Sequence, residues 1–137
     1  MNAAVPSHIS GTCATTVGVP CEVLLAYVSD PLHLPAWAPD FADVVTPAAD
    51  GTWSVRSPEG ERRIIVRTSA ELGVVDFVSA ADRQLGAFMR VLPSGAASHV
   101  TFTLLFPGDA GPEDVDAAMR GASQELATLR EILEPNR

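Results

Sequence analysis

Two hydrophobic periods divide this chain, and the places where one gives way to the other outline its architecture. Between Val44 and Phe106, apolar residues recur at every second position in short runs. The runs are broken at Asp50-Gly51, Glu59-Gly60, Glu71 to Gly73, the Asp82 to Gln84 region and Ser94-Gly95. Alternation interrupted by such turn residues predicts hairpins. The strands expected are Val44 to Thr46, Trp53 to Ser57, Arg62 to Ser69, Val74 to Ala80, Ala87 to Leu92 and His99 to Phe106. An earlier stretch, Ile9 to Val17, rich in threonine and small residues, reads as a first strand closing at Gly18.

The helical period takes over on either side of the hairpins. Pro20 suits a first helical position, and Val23, Leu24, Tyr27 and Val28 share one face, which predicts a helix from Pro20 to Val28. A second short helix, around Leu32 to Ala36, follows Asp30 as N-cap with Pro31 at its first position. Near the other end, Gly111-Pro112 opens a long helix with Glu113 and Asp114 at the positive end of its dipole. Its apolar stripe is Val115, Met119, Ala122, Leu126, Leu129 and Leu133. The expected fold is α+β: a curved seven-stranded antiparallel sheet wrapped around the long C-terminal helix, with two short helices after the first strand.

Pairing the strands through their turns assigns the two faces. One carries Trp53, Val55, Ile64, Val66, Val75, Phe77, Met89, Val91, Val100, Phe102 and Leu104 and should meet the last helix. The other sets Arg67, Asp76, Arg90 and His99 side by side, with Thr101 and Thr103 near them. That row reads either as a solvated charge ladder or, if the register slips by one residue, as a polar pocket lining in which Asp76, held ionised by Arg67 and Arg90, orients a substrate, and Asp76 and Arg90 are candidate catalytic residues on that reading. Small residues in the middle of the last helix, Ala118, Gly121, Ala122 and Ser123, suit either a close approach to the sheet or a void between the layers.

Composition narrows the function classes. At 137 residues the chain is one domain in length, with residues 1–8 expected as a flexible tail and 9–137 as the folded unit. A net charge of −8, with arginine as the sole strongly basic residue type, argues against a nucleic-acid partner. No segment is apolar for long enough to span a membrane, and the opening MNAAVPSHIS has no basic and apolar leader pattern, so a cytoplasmic protein is expected. Cys13 and Cys21 have no second cysteine pair and no histidine at ligand spacing, so they are expected as buried thiols. No metal and no cofactor are expected, and the oligomeric state stays open, a homodimer included.

The stiffest segment is DPLHLPAWAPDF, Asp30 to Phe41, in which three prolines hold Trp37 and Phe41 in a bent piece of chain. Such a segment either plugs the end of a core or forms the lip of a cavity. Conventional catalytic patterns are missing: there is no Gly-x-Ser-x-Gly elbow, no His-Glu metal pattern and no phosphate-cradling glycine loop. His33 is a candidate proton carrier, because imidazole titrates near neutrality, and Tyr27 is a candidate hydroxyl donor. Each has a plainer reading as a surface histidine and a core tyrosine.

SDPLHLPAWAPDF (Ser29 to Phe41), DGTWSV (Asp50 to Val55), LGVVDF (Leu72 to Phe77), FMRVLPSG (Phe88 to Gly95) and VTFTLLF (Val100 to Phe106), in this order and with a closing helix, resemble the START/Bet v 1-like superfamily. The likeness is to its polyketide cyclase/dehydrase-like bacterial branch, and it covers most of the chain. It implies the helix-grip fold and an apolar cavity between sheet and C-terminal helix, entered near the two short helices. It also implies Trp37 and Phe41 at the mouth, Trp53, Phe77, Met89 and Phe102 on the sheet wall and Met119 on the helix wall. Phe77 stands where similar sequences often have a histidine, which makes the cavity more apolar. The functions implied are a polyketide cyclase or aromatase-like role in secondary metabolism, a non-catalytic carrier of a lipid or other apolar ligand, or a partner-binding module using the exposed sheet face.

Overall fold

The computed structural model describes residues 8–134. The tail expected over Met1 to Ser7 lies outside them, and His8, expected with the tail, is already the first residue of a strand. Seven strands form one antiparallel sheet: β1 (His8–Val17), β2 (Val44–Pro47), β3 (Trp53–Ser57), β4 (Gly60–Ser69), β5 (Val74–Ser79), β6 (Gly86–Ser94) and β7 (Ala97–Pro107). The helices are α1 (Cys21–Val28), α2 (Leu34–Trp37) and α3 (Pro112–Leu133). This is the architecture expected from the alternation of periods.

In the sheet order β1-β7-β6-β5-β4-β3-β2, the first two strands of the chain occupy opposite edges. The segment between them therefore has to travel the width of the sheet. It does so as α1, a single 3-10 turn over Pro31–His33, and α2. Asp30 caps this turn as expected, its Oδ1 accepting the Leu32 N–H at 3.0 Å. The single helix expected around Leu32 to Ala36 is split because Pro35 has no N–H to continue the ladder and instead opens α2. Leu24, Leu25, Val28, Leu34 and Trp37 are buried, so the crossing runs over the face that the helix grips.

The register bears out the assignment of faces. Val66, Phe77, Ala87 and Leu104 follow one another across four strands, and so do Thr68, Val75, Met89 and Phe102. All eleven side chains expected to face α3 lie on that face, because strand alternation is local and five hairpin turns hold the phase. From α3, Ala122, Leu126 and Leu129 are buried against them. Burial of each large side chain contributes about 1.5–3 kcal/mol, so this shared face dominates the stability of the fold.

One flank of α3 is seated closely on β1. A Cβ at Gly11 would come within 2.6 Å of the Met119 sulfur, so glycine lets the helix approach here. Farther along, the Glu134 carboxylate accepts the Gly18 N–H at 2.9 Å and the Arg130 Nε–H at 3.3 Å. The two cysteines are free and only partly buried, a correction to the expectation of buried thiols. They lie at the β1 edge and at the start of α1, where cover is incomplete, and the Ser98 hydroxyl, which donates to Val19 O at 2.7 Å, sits 3.5 Å from Cys21 Sγ.

Candidate functional site

The interior between α3 and the sheet is built from apolar strand residues and is closed at one end by the two-helix crossing. Trp37, the last residue of α2, is 1% exposed. Its ring lies 6.0 Å from Phe77 and 6.1 Å from Phe102, tilted by 58° and 54°, an arrangement that favours aromatic pairs. Trp37 is thus enclosed within the core. Pro35 within α2 and Pro39 just after it restrict the bend of this segment, and its last side chain packs on Phe77 and Phe102 of the sheet. The indole Nε1–H is buried and has no hydrogen-bond partner among the described residues.

Phe41 does lie at the periphery, half-buried. The Arg62 guanidinium stacks over its ring at 4.7 Å and Arg62 Nη2 donates to Phe41 O at 3.4 Å. Trp53 is half-buried against the core, whereas Phe77, Met89 and Phe102 are fully enclosed. Met119 rests over Gly11 on the β1 side of α3.

Tyr27 and His33, the two candidates from the crossing, are brought together. Their rings stack with centroids 4.1 Å apart and 12° between planes. His33 Nδ1 lies 2.7 Å from Tyr27 O, and a carbonyl only accepts, so Nδ1 carries the hydrogen. Nε2 faces the Asp30 carboxylate at 3.8 Å. Burial pushes the Tyr27 phenol pKa up.

Asp76 and Arg90 are elsewhere, on the sheet face turned away from α3. There Arg67 stands directly opposite Asp76 and donates at 3.2 Å, while Arg90 donates from a diagonal position at 2.7 Å. The carboxylate is 7% exposed and the two guanidiniums 50% and 46%. The expected row of four therefore ends at Arg90. Asp76 is paired across to Phe88, not to Arg90, and His99 lies opposite Leu92 with its Nδ1 3.0 Å from Thr16 Oγ1. Both hairpins, β5–β6 and β6–β7, are offset by two residues from the expected pairing, which displaces first Arg90 and then His99 along the strands. The four candidate catalytic side chains consequently form two groups on opposite sides of the sheet.

Glu125 is the residue that sequence reasoning missed. It lies on the flank of α3 nearer α2, one turn after Gly121, and makes no hydrogen bond or ion pair among the described residues. Burial, and secondarily the charge of Asp40, pushes its pKa from an ordinary 4.5 to about 7. Across the helix the Cys13 thiol is also pushed up, first by burial, with a Ser123 hydrogen bond opposing and Glu125 adding to the shift. A half-buried glutamate that is neutral part of the time near pH 7 can hold or release a proton at its carboxyl oxygen. A separate open groove of about 500 Å³, lined by Asp116, Met119, Arg120, Ser123 and Gln124, runs along α3 and is largely polar.

No protein-family model matches the sequence, and no curated protein matches it. Solved structures do. A START superfamily protein from Mycobacterium smegmatis superposes with a TM-score of 0.71 at 12% identity, over 90% of this chain and 96% of that one. The Zhui aromatase/cyclase from Streptomyces sp. R1128 gives 0.67 at 13% identity, over 90% and 92%. The Aha1 dimer from Colwellia psychrerythraea gives 0.71 at 14% identity, over 92% and 96%. At these identities the likeness is one of architecture: the chain shares the helix-grip fold of these structures.

Proposed function

We propose that the chain binds a hydrophobic small molecule between the inner sheet face and α3, entered beside the two short helices, with a polyketide cyclase or aromatase-like role. The observation that carries this reading is the aromatic cluster of Trp37, Phe77 and Phe102. It is assembled by a crossing segment outside the sheet ladder against a continuous apolar strand face. A core side chain delivered by a four-residue helix between prolines is one that a ligand can replace. Similarity of fold to an aromatase/cyclase and to a START protein supports the same reading.

In the enzymatic version, a dry interior confines a flexible polyketone and orients its reacting carbons. Tyr27 and His33 at the crossing and Glu125 on α3 are the groups available to assist enolisation and loss of water. The carrier version is favoured by one observation, that Asp76 and Arg90 face away from the apolar interior.

Native mass spectrometry of protein purified from its own host is the first test, and a co-purified apolar compound is the expected result. Protein that emerges without one and takes up no naphthalene-sized aromatic in titration overturns the reading. Turnover of a poly-β-ketone that falls at least tenfold in Glu125→Gln and Tyr27→Phe selects the enzyme over the carrier.

A further inference from the structure

We infer that Trp37 is a displaceable stopper whose indole Nε1–H selects ligands that combine an apolar skeleton with a hydrogen-bond acceptor oxygen, such as an aryl ketone; this rests on the binding role proposed above. A buried donor without a partner is uncommon in native proteins and persists where something outside the resting fold satisfies it. Indole nitrogen donates and never accepts, so only an acceptor can complete it. The rings around it, Phe77 and Phe102, offer none.

The segment carrying Trp37 is suited to movement. Its backbone–backbone bonds are local, Ala38 N–H to Leu34 O at 2.7 Å, Phe41 N–H to Ala38 O at 3.1 Å and Ala42 N–H to Ala38 O at 3.0 Å, and the exposed Arg62 of β4 reaches Phe41 O with its side chain at 3.4 Å. Displacing α2 as a unit therefore breaks no strand pairing. An acceptor oxygen entering with the ligand would give the indole N–H the partner it lacks at rest, while the apolar skeleton takes over the contacts with Phe77 and Phe102.

Two isosteric probes test this, 2-acetylnaphthalene and 2-isopropenylnaphthalene, which differ in a carbonyl oxygen against a methylene. Each is titrated into the intact protein by calorimetry, and the Trp37 indole ¹⁵N–¹H cross-peak, assigned through its own ring and backbone couplings, is followed in parallel. The ketone is expected to bind about tenfold more tightly, the worth of one hydrogen bond. It alone should move the indole peak downfield, and in Trp37→Phe the preference should vanish while the alkene still binds. Equal affinities with an unmoved indole peak overturn the selection by Trp37 and leave the binding role standing. If neither probe binds, both readings fall.

Discussion

The two faces of the sheet each bury a polar group, and they treat it in opposite ways. On the outer face the Asp76 carboxylate is compensated twice, by Arg67 at 3.2 Å and Arg90 at 2.7 Å. On the inner side neither the Trp37 Nε1–H nor the Glu125 carboxyl has a hydrogen-bond partner among the described residues. Completed networks of charge hold a structure in place, whereas unpaired groups in a low-dielectric interior are costly and are available to bind something else. The difference sets the outer cluster, whose carboxylate is already compensated, apart from the inner side, and it moves attention to an interior that the sequence presents as plain hydrophobic core.

The largest effect that bears on this contrast is Asp76→Asn. Removing the one carboxylate between two cations should cost about 3 kcal/mol in urea denaturation, close to the usual loss on breaking a buried ion pair. Arg90→Ala should cost under about 1 kcal/mol, because Arg67 remains and both guanidiniums are half in water. Equal losses in the two variants would show that the carboxylate is not the hub of the cluster.

The next effect belongs to Glu125. Its folded-state pKa of about 7 lies above the ordinary 4.5, so the folded protein holds the proton more firmly than the unfolded chain. Its contribution is therefore fully present below pH 4.5 and is lost as pH rises through 7, a loss of about 2 kcal/mol after allowance for partial exposure. Glu125→Gln should remove that slope, gaining about 2 kcal/mol over the parent at pH 8 and almost nothing at pH 4.5, read as the shift in urea midpoint. Parallel pH profiles for parent and variant would place the carboxyl in water and close the contrast between the faces.

Smallest of the three is Trp37→Phe. The smaller ring gives up packing against Phe77 and Phe102, but the unpaired donor goes with it, and the two terms should cancel to within about 1 kcal/mol. A loss above about 3 kcal/mol would mean that the indole is an ordinary core residue whose N–H costs nothing.

How much of this was legible in the sequence follows from which forces are local. The inward set from Trp53 to Leu104 could be read because alternation and hairpin turns act over a few residues. The end of the outer row at Arg90 could not, since the β5–β6 and β6–β7 pairings are each shifted by two residues, which leaves the alternation of faces unchanged. Periodicity placed Met119 and Leu126 on the inward stripe of α3. It said nothing of Glu125, which sits one step off that stripe and whose burial and nearness to Asp40 are properties of the folded chain. Trp37 was found as a residue of interest, but its depth depends on where two prolines aim a four-residue helix, a property of three-dimensional path and not of local pattern.

The seam between α3 and β1 has a mechanical consequence. Met119 over Gly11 and Glu134 bonded to Gly18 fasten one flank of the helix along the length of an edge strand. The other flank meets α2 and the turn that follows it, a short piece of chain with no ladder of its own. Sheet and helix are thus joined as a hinge is, along one side, and the work of enlarging the space between them is least at the free edge, where a small swing of α2 has the longest lever arm.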